Sequence, residues 1–103
     1  MDNYKINLLS KAQEDLSEII QLVLNVSKDV AIKLKKELYD SLEALTNYPE
    51  RNPTFEMVSS FPYIVRKQIV SSRYIILYSV VLDQIYVYRI IDARRGFDGI
   101  INP

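Results

Sequence analysis

Two very short connections in the second half of the chain constrain its fold more than any other feature. Three runs rich in β-branched and aromatic residues lie at 63–70, 73–82 and 84–91. The turns between them are only Ser71-Ser72 and Leu82-Asp83, and Leu82 is also the last residue of the second run. A parallel crossover needs a dozen or more residues, whereas two residues suffice for an antiparallel hairpin. The second half therefore predicts three consecutive antiparallel strands.

The last of these runs alternates, and its pattern predicts how the sheet is covered. One side would carry Ile85, Val87, Arg89 and Ile91, and the other Gln84, Tyr86, Tyr88 and Ile90. Both sides are partly apolar. We therefore expect helices to cover one face of the sheet and the other face to be half open.

The first half of the chain has helical periodicity in two segments. A short period-two strand at 4–8 comes first, and Ser10 and Gln13 then have the spacing of a capping box. The apolar stripe of the first helix is Ala12, Leu16, Ile19, Ile20 and Val23. A second helix is predicted at 30–46, with the stripe Ala31, Leu34, Leu38, Leu42 and Leu45. Two amphipathic helices joined by a few residues must fold back on each other.

The predicted order of elements is β-α-α-β-β-β. This is an α+β fold in which a helical hairpin packs on an antiparallel sheet. The irregular middle, with Pro49, Pro53 and Pro62, is interpreted as a connection because neither flank is long enough to stand alone. Residues 1–103 are expected to form one domain.

The chain contains no cysteine and no histidine. Disulfides, thiolate metal sites and a Ser-His-Asp triad are therefore excluded, as is the commonest general base. We expect neither a metal nor a cofactor. No apolar run approaches the ~20 residues that a membrane-spanning helix needs, and no signal peptide is evident, so the sequence favours a cytoplasmic protein.

Arginine and tyrosine are concentrated late in the chain. Residues 63–95 hold five of the six arginines and five of the eight tyrosines. The same stretch has six Lys/Arg against two Asp, a net charge of +4, whereas the whole chain is neutral. Guanidinium groups bind phosphate or carboxylate in a fork and stack on rings, so this stretch predicts a face for a charged partner. The alternative is that a four-charge excess is ordinary scatter.

Five motifs, in order and at matching spacing, resemble the RelE/ParE superfamily of bacterial toxins. They are Tyr4-Lys5-Ile6, the helix Ser10-Lys11-Ala12-x-x-Asp15-Leu16-x-Glu18-Ile19, the helix end Leu42-x-x-Leu45-x-x-Tyr48-Pro49, the strand Arg73-Tyr74-x-Ile76-x-Tyr78-x-Val80, and the close Val87-Tyr88-Arg89-Ile90-Ile91-Asp92-Ala93-Arg94-Arg95. The resemblance covers nearly the whole chain. It implies a toxin of a type II toxin–antitoxin module that a labile cognate antitoxin holds inactive, as a dimer or as a heterotetramer with the antitoxin. The antitoxin is expected to wrap around the toxin and cover the sheet and the helical grooves.

The resemblance implies two alternative targets. RelE-like members are ribosome-dependent endoribonucleases that cleave mRNA, and ParE-like members poison DNA gyrase. A nuclease reading would use Arg66, Arg94 and Arg95 as its catalytic residues. The remaining basic or proton-transfer positions of the nucleases are occupied by Gln68, Ile75, Asp92, Phe97 and Ile100.

A group that binds phosphate without a base to move protons does not complete an RNA-cleaving site. The sequence is therefore closer to the ParE branch, and it predicts a toxin that acts by binding a protein such as gyrase. We expect the target-binding residues to be Arg66, Arg89, Arg94, Arg95, Tyr86 and Tyr88. A third reading, a non-toxic nucleic-acid-binding module, rests on the positive charge alone.

Some of these residues also have a structural alternative. Tyr74 and Tyr78, four apart on a strand, would share a face and fill the core. Arg89 would pair with Asp83, Asp92 or Glu56. Arg94 and Arg95 have no structural role that the sequence indicates, and function is favoured there.

Overall fold

The structure is a computed structural model that describes residues 4–56 and 62–95. Its strands are β1 (Lys5–Leu8), β2 (Arg66–Val70), β3 (Tyr74–Val81) and β4 (Gln84–Asp92), and its helices are α1 (Ser10–Leu24) and α2 (Lys28–Ala44). Short 3-10 turns lie at Pro49–Arg51 and Ala93–Arg95. The predicted β-α-α-β-β-β order and the α+β class are confirmed.

The four strands form one sheet in the order β1-β4-β3-β2. The pairs β2/β3 and β3/β4 are antiparallel, as the short connections predicted. The pair β1/β4 is parallel, which the sequence analysis did not foresee. No hairpin joins these two strands, because the chain passes through both helices and β2–β3 before β4 adds to β1.

Both hairpin turns use left-handed backbone without glycine. Ser71 and Ser72 have φ of 53° and 57°, which is the pattern of a type I′ two-residue loop, and Leu82 has φ of 57°. Left-handed backbone strains a residue that has a Cβ. The strands on either side must therefore hold these turns in place.

The helices cover one face of the sheet and bury the main core between the two layers. Leu38, Ile76, Ile85 and Val87 are fully buried there. Every residue of the stripe predicted for α2 is buried, as are Ala12, Leu16 and Ile19 of α1. The burial of these residues confirms the prediction that a helical hairpin packs on the sheet.

The second face of the sheet carries a smaller core. It comprises Phe55, Val65, Ile75, Leu77 and Ile91, with Tyr88 and Ala93 packed against it. The expectation of a half-open face is therefore too simple, since the chain around Phe55 and Val65 folds over part of it. Lys67 donates its backbone N–H to the Pro53 carbonyl at 3.1 Å, which holds this connection on the edge of β2.

A β-bulge interrupts β4 at Tyr88. Leu77 lies opposite Arg89, whereas the next residue, Tyr78, lies opposite Val87. One extra residue shifts every later side chain to the other face. Ile90 therefore joins the helix-side core and Ile91 the second core, so the strict alternation predicted for this strand is wrong beyond Val87.

The helix starts also differ from the predictions. No side chain caps α1: Leu9 is its N-cap residue, and the Gln13 side chain donates to the Leu8 carbonyl at 2.9 Å instead of completing a capping box with Ser10. α2 begins two residues earlier than predicted, because the Ser27 hydroxyl accepts a hydrogen bond from the Val30 N–H at 3.3 Å.

Neither described helix combines the length and apolar character that crossing a bilayer requires.

Candidate functional site

Arg66 lies on β2, beside Tyr78 and on the helix side of the sheet. Its Nη1 donates to the Asn52 carbonyl at 2.8 Å. The Asn52 amide in turn donates to Gln68 Oε1 at 2.7 Å and to the Tyr78 hydroxyl at 2.9 Å. Arg66 and Gln68 therefore help to hold the connection between α2 and β2 against the sheet.

The Tyr78 side chain is fully buried at the centre of this cluster. Its hydroxyl donates to the carbonyl of buried Pro49. Burial raises the pKa of the Tyr78 phenol above its ordinary value, against the opposing effects of the Asn52 hydrogen bond and the Arg66 charge. A phenol with a raised pKa is a weak candidate for a general base.

Arg89 is held by Asp15 of α1 in a two-point ion pair. Nε contacts Oδ2 at 2.7 Å and Nη2 contacts Oδ1 at 3.0 Å, with the two side chains only 22% and 12% exposed. Asp15 Oδ2 also accepts the Ile90 backbone N–H at 3.0 Å, just beyond the bulge. Hydrogen bonding to Asp15 raises the pKa of Arg89.

The expected ion-pair partners of Arg89, which were Asp83, Asp92 and Glu56, are therefore wrong. Asp15 lies 74 residues away in the sequence, and only the packing of α1 against β4 brings it to the bulge. This contact also joins two of the family-like motifs, the Asp15 helix and the Arg89 strand, in one structural unit.

Arg94 lies beside Arg73, and both contact the Asp92 carboxylate. Arg73 Nη2 is 3.1 Å from Oδ2, and Arg94 Nε is 3.5 Å from Oδ1. Asp92 is 9% exposed, whereas Arg73 is 38% and Arg94 65% exposed. Asp92 Oδ1 also accepts the Arg94 backbone N–H at 3.0 Å, which fixes the start of the last turn. Arg73 further stacks over the Tyr74 ring, 5.1 Å from its centroid.

Next to these charges the end of the helical hairpin presents apolar side chains to solvent. Leu22, Val23 and Val26 near the end of α1 and Val30 in the first turn of α2 line one groove with Arg73, Asp92 and Arg94. We call these seven residues the hairpin-end groove. Its volume is about 730 Å³, within the ~300–1,000 Å³ range of ligand pockets. Val26 is 87% exposed.

The two tyrosines of the expected target-binding set lie elsewhere on the sheet. Tyr86 is half-buried in β4, opposite Ser79 on one side and Asn7 on the other. Tyr88 is the bulge residue and packs against the second core. The Arg95 side chain, Phe97 and Ile100 lie outside what the structure describes.

The expected site residues therefore do not form a single cluster. Arg66 lies opposite Tyr78 of β3 and Asp92 lies opposite Tyr74, on the other side of that strand. By strand geometry the two backbone positions are roughly 13 Å apart along the strands and about 10 Å across them. The Arg66 guanidinium binds the Asn52 carbonyl and the Arg94 guanidinium contacts Asp92, so the two groups do not converge on one phosphate in this structure.

The residues that sequence reasoning missed are the apolar members of the groove and the pairing of Arg73 with Asp92. The one available signal was Val26, an apolar residue in the break between the two helical patterns. Within residues 4–56 and 62–95, no three acidic side chains come together in a way that could hold a metal ion.

Comparison with known proteins identifies this arrangement. The family model described as the ParE toxin of the type II toxin–antitoxin system, parDE, matches residues 6–97. A solved chain titled "Chromosomal ParDE TA system from P. aeruginosa" shares the fold with a TM-score of 0.70 and 18% sequence identity, over 87% of this chain and 96% of that one. A search of curated protein sequences gives no significant match. Since the family model matches residues 6–97, which is most of the chain, this chain belongs to the ParE toxin family of type II toxin–antitoxin systems.

Proposed function

We propose that this protein is the toxin of a type II toxin–antitoxin module, that it arrests growth by binding DNA gyrase, and that a cognate antitoxin neutralises it. The family match and the ParDE fold relative support the toxin and antitoxin parts of the proposal. The choice of gyrase rests on the ParE branch of the resemblance and on the geometry of the arginines. The proposal implies that the protein acts in the cytoplasm, as a dimer or in a heterotetramer with the antitoxin.

The separation of Arg66 from Arg94 is the observation that favours gyrase binding over RNA cleavage as the function. Cleavage through the 2′-hydroxyl needs a base, a group that stabilises the phosphate and a group that assists the leaving oxygen, all around one phosphate. Arg66 is engaged with Asn52 and Arg89 with Asp15, so each has a structural role. The buried Tyr78 keeps its proton.

Binding to a protein target requires fewer specialised chemical groups on the surface than RNA cleavage does. It needs exposed cations and apolar contact area, and no proton transfer. Arg94, 65% exposed in the turn just after β4, is the described member of the expected set that is best placed for such contact. We assign Arg94, with Arg95 next to it in the chain, as the main target-binding pair.

The test is gyrase-catalysed supercoiling of relaxed plasmid with purified toxin. We expect inhibition and accumulation of cleaved DNA–gyrase complex, both reversed when purified antitoxin is added first. Arg94→Ala should weaken inhibition by about tenfold, the loss expected for one charged interface contact of ~1.4 kcal/mol. Lys5→Ala is the matched control, because Lys5 is an exposed cation at the opposite end of β4, beside Gln84.

Two results would overturn the proposal. One is full supercoiling activity at a large molar excess of a toxin that still arrests growth. The other is the appearance of new mRNA 5′ ends in translating extracts while gyrase stays active, which would favour the ribosome-dependent endoribonuclease instead.

A further inference from the structure

We infer that the pocket between the turn after α2 and the start of β1 binds a guanine mononucleotide. Its lining residues are Tyr4, Tyr48, Pro49, Glu50 and Arg51. The two tyrosine rings would contact the base, the Glu50 carboxylate would accept hydrogen bonds from the edge of the base, and the Arg51 guanidinium would bind the phosphate. This inference depends neither on gyrase as the target nor on an antitoxin.

Both sides of the pocket are attached to the rest of the fold. On one side, Tyr4 is partly buried against the main core. On the other side, Pro49 is buried, and its carbonyl accepts a hydrogen bond from the Tyr78 hydroxyl. The Arg51 N–H donates to the Tyr48 carbonyl at 3.1 Å, which closes the turn. The volume of the pocket is about 520 Å³, within the ~300–1,000 Å³ range of ligand pockets, so the site is formed before a ligand arrives.

The Tyr48 ring is presented to solvent from a strained backbone. Its φ of 54° and ψ of 63° lie in the left-handed region, which a residue with a Cβ disfavours. The ring is 74% exposed, so its burial does not offset the strain. Strained residues are found at ligand sites, where the surrounding structure holds them in place. Because Tyr48 and Tyr4 line one pocket, a planar ligand there contacts two aromatic side chains, and aromatic side chains stack on nucleobases.

The two charged side chains of the pocket are opposite in sign and available to a ligand. Both Glu50 and Arg51 are exposed, and within residues 4–56 and 62–95 neither takes part in an ion pair. Burial is the main cause of the raised pKa of Tyr78, and the charges of Arg51 and Glu50 shift that pKa in opposite directions. Both charges therefore lie near the same buried hydroxyl. A matching ligand carries hydrogen-bond donors at one end and an anionic group at the other.

Guanine is the base whose edge best matches Glu50. A carboxylate only accepts hydrogen bonds. The Watson–Crick edge of guanine has two neighbouring donors, N1–H and the N2 amine, whereas adenine and cytosine have one donor beside an acceptor and uracil has one donor between two acceptors. Glu50 can therefore accept two hydrogen bonds from guanine and one from any other base. Paired contacts of this kind discriminate between bases.

The single cation favours a mononucleotide over a nucleic-acid strand. The Arg51 guanidinium can bind one phosphate through two N–H groups, whereas strand binding relies on several cations along the backbone. The pocket is also distant from the hairpin-end groove. Tyr48 follows the end of α2 and Val30 lies in its first turn, and this 17-residue helix is about 25 Å long. Nucleotide binding would therefore leave Arg94 accessible to the target.

The test is calorimetric titration of the purified full chain with GMP, AMP and guanosine. We expect saturable binding of GMP, about tenfold tighter than that of AMP, as one paired base contact provides. Tyr48→Ala should weaken GMP binding by about tenfold, because one stacking ring is lost. Arg51→Ala should weaken GMP binding by about tenfold and leave the affinity for guanosine unchanged, since guanosine has no phosphate. Glu50→Gln should reduce the preference for GMP over AMP to about threefold or less.

Tyr39→Ala is the matched control. Tyr39 is a 49% exposed tyrosine within α2 that does not line the described pocket, so its loss should change the affinity for GMP by less than about twofold. The melting temperatures of the four variants should equal that of the wild type, because the substituted side chains are exposed. Equal melting temperatures would show that lost affinity does not come from unfolding.

Three results would overturn the inference and leave the proposed function standing. The first is no binding of GMP to the wild type at millimolar concentration. The second is equal affinity for GMP and AMP, or a Tyr48→Ala variant that binds GMP as the wild type does. The third is a single-stranded RNA oligonucleotide with one guanine that binds more than about tenfold tighter than GMP, which would assign the pocket to an RNA strand. Conversely, GMP binding by a chain that leaves gyrase active would refute the proposed function alone.

Discussion

The ion pair between Asp15 and Arg89 gives the sharpest stability prediction, because it combines three contacts at one irregular point of the sheet. Asp15→Ala would remove the acceptor of both Arg89 nitrogens and of the Ile90 N–H. The bulge at Tyr88 would then lose its link to α1. Arg89 would keep its charge at a site where only 22% of its side chain is exposed.

The size of the stability loss follows from the groups that each substitution leaves without a partner. Breaking one side of a buried ion pair costs ~3–5 kcal/mol, and partial exposure reduces the penalty because water reaches the remaining charge. We expect Asp15→Ala to lower the free energy of unfolding by about 3 kcal/mol. Arg89→Ala should cost less, about 2 kcal/mol, because the Asp15 carboxylate keeps the Ile90 N–H as a hydrogen-bond donor. The double variant should cost less than the sum, with a coupling free energy of about 1.5 kcal/mol.

The assay is urea unfolding of the wild type, the two single variants and the double variant, followed by circular dichroism. Lys36→Ala is the matched control. Lys36 and Asp40 are also 2.7 Å apart, but their side chains are 76% and 63% exposed, so no measurable change in stability is expected.

The reasoning would be refuted by a coupling free energy near zero between Asp15 and Arg89. It would also be refuted if Asp15→Ala were as mild as Lys36→Ala. Either result would mean that sheet packing alone holds the bulge and that the bidentate geometry contributes nothing to stability.

Three further predictions concern other parts of the fold. Tyr78→Phe should cost ~1–2 kcal/mol, because the Pro49 carbonyl loses its donor. Since burial raises the pKa of Tyr78, its stabilising effect should be constant below the ordinary tyrosine value of ~10 and should be lost as pH rises through the higher folded-state pKa. Urea unfolding of the wild type and Tyr78→Phe between about pH 8 and 11 checks this, and a difference that grows with pH would contradict it. Asp92→Asn should lower the melting temperature by several degrees, because Arg73 loses its ion partner, and an unchanged melting temperature would show that the pair is not stabilising. Leu82→Gly should raise the free energy of unfolding by about 0.5 kcal/mol, because glycine adopts left-handed backbone without strain and the 90% exposed Leu82 side chain buries little surface. A free energy of unfolding below that of the wild type, measured in urea, would refute this.

Local patterns predicted most of the fold, for reasons that lie within each segment. The helical spacing of Leu34, Leu38 and Leu42 is an intrinsic property of the α2 sequence, and all three residues are buried against the sheet. The two-residue connections likewise left only antiparallel hairpins possible at β2/β3 and β3/β4. The family resemblance, carried by motifs along the whole chain, agreed with the ParE toxin model over residues 6–97.

The site was predictable only in part, because its residues belong to different segments. Arg94 was singled out from the sequence, and the structure places it at an exposed groove. Two of its neighbours there are Val26, in the connection between α1 and α2, and Val30, in the first turn of α2. No periodicity connects residue 26 with residue 94, so their meeting depends on how the hairpin sits on the sheet.

The sequence by itself determined the two amphipathic helices, the run of hairpins and the membership of the toxin family. Each of these follows from the spacing of residues within a short segment or from the order of motifs along the chain. The tertiary structure decided the parallel pairing of β1, the bulge at Tyr88 and the division of the arginines. Arg66 and Arg89 hold parts of the fold together, because the packing of the chain places the Asn52 carbonyl beside Arg66 and the Asp15 carboxylate beside Arg89. Arg94 stayed exposed because its one acidic partner, among the residues described, is a carboxylate shared with Arg73. An arginine's role follows from which carboxylate or carbonyl the packed chain places beside it, and packing is not encoded locally.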